Sequence, residues 1–572
     1  MSQQTTPTTP DVSTILDRAR SGHETSMSED EYDDLVTEIE RNCYDGASTD
    51  EVYQAILQAL TARIEREPSF KQIAAAVFRQ RYYREVIGED LTGYELDREY
   101  RATFVTNLER GVEIGLLDER LLDRFDLEAL AEYLELDRDS EFEYLAMETL
   151  YQRYFLKTEQ DGEHLELPQA FWMRIAMGLA IEEDEPQRRA TEFYDVLSKL
   201  EFTPSTPTLF HSGTAHPQLS SCYLTTVEDD LEGIFDSYKH HALLSKWSGG
   251  LGNDWTNLRA GGALIESTGV ESTGVVPFLR ISNDVTAAIN RSGKRRGAAC
   301  AYLACWHLDY PAFIDLKRNT GDERRRTPDM NTASWIPDLF MKRVEAGEQW
   351  TLFSPDEVPD LHDLSGEAFE ERYREYEQAA EDGELRQYER VAAEDLWRQM
   401  LTRLFETGHP WLTFKDPCNV RSPQDHVGTI HSSNLCTEIT LNTSADEHAV
   451  CNLGSVNYAT HVRDGALDRE YLADTIETAM RMLDNVVDLC FYPTDEAEYS
   501  NMRHRPIGLG TMGFHDALME IGVPMDSEDA VENANRWQEF VSYHAILNSS
   551  KLAKEREPYP SYEGSKWDRG LL

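Results

Sequence analysis

A chain of 572 residues exceeds one ordinary hydrophobic core, so two or three domains with a sizeable interior are expected. The 105 acidic residues against 55 basic leave a formal net charge of -50, which opposes binding of the whole surface to nucleic acid or to an anionic membrane. No apolar run reaches the ~18 residues a spanning helix needs, and MSQQTTPTTPDVST has neither the basic start nor the apolar core of a signal peptide. We therefore expect a soluble, cytoplasmic protein. Acidic residues run along the whole chain and Arg outnumbers Lys, the pattern of a protein soluble in concentrated salt, and we expect a halophilic source. Most of these carboxylates should be solvated and chemically idle.

From about 11 to 88 the segments LTARI and KQIAAAVFRQRYY carry apolar residues at helical spacing, and CYDGAST ahead of them supplies a turn and a helix cap. The helical pattern continues through 89–218, most apolar at AFWMRIAMGLAI, until TPSTPTLFHSGTAHPQLSSC breaks it with Pro, Gly, Ser and Thr. Beyond 219, short apolar segments (CYLTTV, AYLACWHL, WTLFS) alternate with helical ones (GIFDSYKHHALLSKW, VVPFLRISNDVTAAI), which argues for an α/β region with a largely parallel sheet. The run from DLSGEAF to LWRQM reads as charged, solvent-facing helix. GLGTMG at 508–513 fits the dinucleotide fingerprint but follows the basic, proline-bearing NMRHRPI and not a buried strand. Close packing is the better account of its glycines.

Eight cysteines (43, 222, 300, 305, 418, 436, 451, 490) without an export signal do not suggest a disulfide framework. No CxxC or Cys/His ligand spacing occurs, so no structural zinc site is expected and any cysteine that matters should matter as a thiol. The most informative segment is TIHSSNLCTEITLNT. An extended backbone there would place Asn434, Cys436 and Glu438 on one face and Leu435, Thr437 and Ile439 on the other. An amide can hold a hydroxyl, a carboxylate can take its proton, and a thiol between them can attack what both orient. Spacing alone also fits a buried, inert strand cysteine.

SSNLCTEI resembles the finger-loop motif of the large (alpha) subunit of ribonucleotide reductase, class I-like. TPTLFHSGT, LSSCYL, SKWSGGLG, DEHAVCNLG and HRPIGLGTMG resemble further segments in the family's order, from about 200 to the C-terminus. The resemblance implies an α/β fold: a ten-stranded α/β barrel over 219–572, preceded by a helical domain at 89–218 and a degenerate ATP-cone-like helical domain at 1–88. It implies that Cys436 becomes a thiyl radical, that Glu438 is the base for the ribose 3′-hydroxyl and that Asn434 holds the substrate hydroxyls. Cys222 and Cys451 match the redox pair that supplies two electrons and is re-reduced by thioredoxin or glutaredoxin. Such chemistry needs the sulfur of Cys436 in a dry pocket within reach of the other two.

The same resemblance implies substrate contacts at Thr206, Ser221 and Gly250. Effector nucleotides (ATP and dNTPs) would contact Asp229, Lys246, Arg259 and the basic loop residues Arg291, Arg295 and Arg296; Asp229 also reads as a helix cap. Helices 231–247 and 275–290 would form a homodimer interface. No cofactor or metal is expected on this chain, because the radical would come from a metal-containing small subunit. Adenosylcobalamin, or a catalytically dead nucleotide-binding remnant, are the alternatives. The family's second half-barrel, phosphate loop, tyrosine pair and terminal cysteines are not found before YPSYEGSKWDRGLL, so a barrel lacking its second half, and a chain inactive alone, are expected.

Overall fold

The computed structural model describes residues 11–21, 28–44, 46–88, 90–247, 249–291 and 295–571. The described residues among the first 88 form four helices, Val12–Arg20, Glu29–Asn42, Thr49–Thr61 and Phe70–Ile87. The cap expected in CYDGAST is a full capping box: Ser48 accepts from the Glu51 N–H, and the Glu51 carboxylate takes the Ser48 N–H at 2.7 Å. Further on, the helix Pro168–Ala180 is buried at every residue, which is why its sequence is apolar all round. Arg174 lies fully buried within that helix. It is tolerated because Nε donates to Glu166 Oε1 at 2.5 Å and Nη1 to the Ser212 carbonyl at 2.5 Å.

Five strands, Cys222–Thr226, Gly250–Asp254, Ala299–Ala304, Asn331–Ile336 and Trp411–Phe414, then lie parallel and adjacent. The helices Leu231–Lys246 and Val275–Ala288 link the first three, as the alternating pattern predicts. Because the strands run the same way, their first residues share one rim of the sheet, and Cys222 stands beside Gly250 there. A sixth strand, Ala449–Cys451, adds antiparallel to Cys222–Thr226. After Asn452 the chain continues as Leu453–Asn457 into a second, three-stranded sheet, flanked by Phe202–Pro204 and Gly508–Met512. The stretch 449–457 thus belongs to both sheets and hinges them together.

Among the described residues no sheet closes on itself: a six-stranded and a three-stranded sheet occupy the region where a ten-stranded type of barrel lacking its second half was expected. A departure from the expected parallel sheet concerns WTLFS. Its strand Gln349–Phe353 pairs with Tyr388–Ala392 in a separate antiparallel pair instead of joining the parallel sheet. The charged run is helical over Gly366–Glu381 and Ala393–Thr407, and the first of these buries Phe369, Tyr373, Tyr376 and Ala380 beneath its solvated face. GLGTM is itself a strand, and a Cβ at Gly510 would stand 2.8 Å from Ser455 Oγ, so close packing accounts for that glycine. No helix of the described residues is long and apolar enough to cross a membrane.

Candidate functional site

The site is assembled on the rim where the parallel strands begin. Cys222 and Cys451 are direct partners across the antiparallel pair, although 229 positions separate them in sequence. Opposed residues in such a pair have Cα atoms about 4.5–5.5 Å apart, within the span a disulfide bridges, so oxidation requires only side-chain rotation. Both thiols are buried. Ser221 Oγ lies 3.2 Å from Cys451 Sγ and 3.7 Å from Cys222 Sγ, a small hydroxyl touching both sulfurs.

The segment carrying Asn434 runs along the inner face of Gly250–Asp254. A Cβ at Gly252 would fall 1.9 Å from the Ser433 carbonyl oxygen and 2.7 Å from Asn434 Cα, so only glycine permits this approach. Asn434, fully buried, donates from Nδ2 to Cys222 Sγ at 3.2 Å and to Glu438 Oε1 at 2.8 Å. Its Oδ1 accepts the N–H groups of Glu438 (3.1 Å) and Ile439 (3.2 Å), and its carbonyl accepts from Tyr302 Oη at 2.8 Å. One amide thereby ties a carboxylate to a redox-capable sulfur.

These contacts polarise the pair. Hydrogen bonding from Cys451, and then from Asn434 and Ser221, holds the Cys222 thiol below its ordinary value despite burial. Burial, reinforced by the neighbouring Cys222, drives Cys451 well up. Cys222 is thus the more readily ionised of the two and faces a thiol at Cys451, the asymmetry from which thiol–disulfide exchange proceeds.

The expectation for Cys436 is corrected in two respects. Residues 435–437 form a turn, with Thr437 in the left-handed region at φ 69°, so the strand-like alternation of 434, 436 and 438 does not occur. Asn434 and Glu438 meet because the chain turns between them. The same turn leaves Cys436 exposed in this chain, not in a dry pocket. Its sulfur is near enough to Cys300 to contribute, after burial, to raising that thiol.

Of the other expected residues, Ser221 and Gly250 join the cysteine pair; a Cβ on Gly250 would stand 3.5 Å from Cys222 Sγ. Thr206 opens the helix Thr206–His211, with Oγ1 3.3 Å from Tyr154 Oη. Asp229 does not cap the following helix; Asp230 does, accepting the Gly233 N–H at 2.9 Å. Asp229 instead binds Arg259, whose Nε donates at 2.8 Å and backbone N–H at 3.1 Å. Lys246, over the Trp247 ring, lies at the other end of Leu231–Lys246, about 22 Å away at 1.5 Å per residue, so the structure does not bring it to Asp229 and Arg259. The backbones of Arg291, Arg295 and Arg296 form a short antiparallel pair; their side chains lie outside the described residues. Sequence reasoning missed Tyr302 and Gly252 as supports of Asn434. The glycine signal was present in SKWSGGLG, whereas nothing marked the tyrosine.

Fold and site together define an α/β protein with a helical N-terminal region and a buried cross-strand dithiol at one rim of its sheet. Residues 220–572 match the family model described as ribonucleotide reductase, barrel domain, and residues 140–217 match ribonucleotide reductase, all-alpha domain. The ribonucleoside-diphosphate reductase subunit alpha of Chlamydia muridarum is 53% identical over 93% of this chain and 50% of its own length. That of Helicobacter pylori is 38% identical over 92% of this chain and 72% of its own, and the large chain of Schizosaccharomyces pombe is 42% identical over 76% and 53%. This chain belongs to the ribonucleotide reductase family, among its large subunits. It spans about half the length of the first of these relatives.

Proposed function

We propose that this chain carries the dithiol and substrate-orienting machinery for reducing ribonucleoside diphosphates to 2′-deoxyribonucleoside diphosphates, and so for supplying dNTP precursors. The reading rests on one observation, the buried opposition of Cys222 and Cys451 with Asn434 bridging Cys222 to Glu438. In the proposed cycle a thiyl radical at Cys436 takes the 3′-hydrogen of the ribose while Glu438 takes the 3′-hydroxyl proton and Asn434 holds the hydroxyls. The 2′-hydroxyl then leaves as water. Cys222 and Cys451 give up two electrons and two protons and become a disulfide, and Cys436 returns to the 3′-position the hydrogen it had abstracted. A thiyl radical needs water excluded, so the exposed Cys436 must be covered during turnover, by bound substrate or by protein.

The radical would come from a separate metal-containing small subunit, in keeping with relatives named as subunits; they lend no support to adenosylcobalamin. Thioredoxin or glutaredoxin would reopen the disulfide. Homodimerisation through the helices Leu231–Lys246 and Val275–Ala288 would cover Leu231, Phe235, Leu243 and Ile281, which stand exposed. Asp229 and Arg259 would face an effector nucleotide at that interface.

The test uses the chain as it is. Mild diamide oxidation followed by proteolysis and mass spectrometry should yield the Cys222–Cys451 disulfide first, and thioredoxin should reverse it. A disulfide formed preferentially by another cysteine, or none under conditions that oxidise a control dithiol, overturns the reading.

A further inference from the structure

At the opposite end of the Gly250–Asp254 strand, the base of the Asn434 segment meets a second cluster of functional groups. Asp254, His362 and His431 are 0%, 3% and 8% exposed, and one potential ligand atom from each lies within 4.8 Å of the others. The two imidazoles face each other with centroids 4.5 Å apart and planes 31° from parallel. His362 Nε2 is 2.7 Å from Asp254 Oδ2, and His431 Nε2 is 2.8 Å from Asp363 Oδ1. With its Nε2–H donated to Asp363, His431 carries a lone pair on Nδ1, which is buried without a hydrogen-bond partner, while an ion entering between His362 Nε2 and Asp254 would displace the proton they share. A buried acceptor with no donor is costly, and this one asks for an electrophile. A carboxylate on the far nitrogen of an imidazole is the arrangement that fixes the tautomer and raises basicity in metal-binding histidines.

The local charge agrees. Asp254, Asp363 and the half-buried Glu228 gather around the imidazoles, against one buried ammonium, Lys415, which donates to the His362 carbonyl. We propose that Asp254, His362 and His431 bind a divalent transition-metal cation, with zinc the best match to two imidazoles and a carboxylate. The ion would staple the base of the segment bearing Asn434 and Cys436 to the end of the central strand. Zinc bonds of about 2.0–2.1 Å put tetrahedral ligand atoms about 3.4 Å apart, so donors now within 4.8 Å close by side-chain rotation. Asp363 stands exposed at the rim and marks the side from which an ion arrives. The assignment is independent of the reductase reading, since it requires neither thiol chemistry nor nucleotide.

The experiment is a cobalt titration of the chelator-stripped full chain, followed by its visible d–d bands and displaced by zinc. The expected result is one cobalt per chain, with affinity reduced about tenfold or more in His431→Gln and in Asp363→Asn, the range seen when a ligand's supporting partner is lost. Asp363→Asn alters an exposed side chain and folds even where a core histidine variant does not. A different cluster, His240, His448 and Glu496, provides the control, and His240→Gln should leave the bands unchanged. No bands with the wild-type chain, bands undiminished in both His431→Gln and Asp363→Asn, or bands abolished by His240→Gln would overturn the assignment.

Discussion

Replacing Gly252 by Ala tests whether the backbone approach at this position positions the dithiol. The added Cβ would sit 1.9 Å from the Ser433 carbonyl oxygen, 2.7 Å from Asn434 Cα and 2.8 Å from Ser433 C, all backbone atoms that no rotamer change relieves. Real Cβ atoms essentially never approach within 3.0 Å, so the segment must retreat by at least about 1 Å, an overpacking that typically costs about 1–3 kcal/mol. The retreat stretches the 3.2 Å bond from Asn434 to Cys222 beyond hydrogen-bonding range. Losing one hydrogen bond to the ionised sulfur, worth about 1.5 kcal/mol, reduces the thiolate population by up to about tenfold. Gly250→Ala is the matched control, because its Cβ meets Leu435 Cδ2 at 3.2 Å and Cys222 Sγ at 3.5 Å, and a flexible leucine can give way. Urea unfolding followed by tryptophan fluorescence should show Gly252→Ala destabilised by about 1–3 kcal/mol and Gly250→Ala by less than about 1 kcal/mol. The rate of diamide oxidation of the Cys222/Cys451 pair at neutral pH should fall by up to about tenfold in the first variant alone. Equal stability and equal oxidation rates for the two alanine variants would refute the reasoning.

Two further outcomes follow from buried charge. Arg174→Ala strands the Glu166 carboxylate inside the helical core and should cost about 3–5 kcal/mol in urea unfolding, whereas Glu166→Gln with Arg174→Met should recover most of that loss. Burial, together with the charges of neighbouring histidines, depresses His241 and His448 to about 3, whereas in the unfolded chain each titrates near its ordinary value of about 6.5. The folded-state values are depressed, so the stability these groups contribute is complete above pH 6.5 and is lost as pH falls toward 3. Where the dependence is steepest, a pair of protons gives about 3 kcal/mol per pH unit, and His448→Gln should remove about half of that slope in melts between pH 7 and pH 4.5.

Much of the local structure was legible in the sequence because it follows from neighbouring residues. The capping box at Ser48, the buried helix at 168–180 and the strands and helices from 222 to 304 are short-range consequences of side-chain periodicity and end chemistry. The resemblance named Cys222, Cys451, Asn434 and Glu438. Tertiary structure decided how they meet. Cys222 faces Cys451 because a register set across 229 positions puts them opposite one another. Asn434 reaches Cys222 because Gly252 admits the passing backbone, and Asn434 and Glu438 share a bond because of a turn, not the predicted strand alternation. No ligand spacing announced the grouping of Asp254, His362 and His431 either. Periodicity encodes which face of an element is apolar, but contact between distant segments depends on sheet order and register, which no local pattern carries.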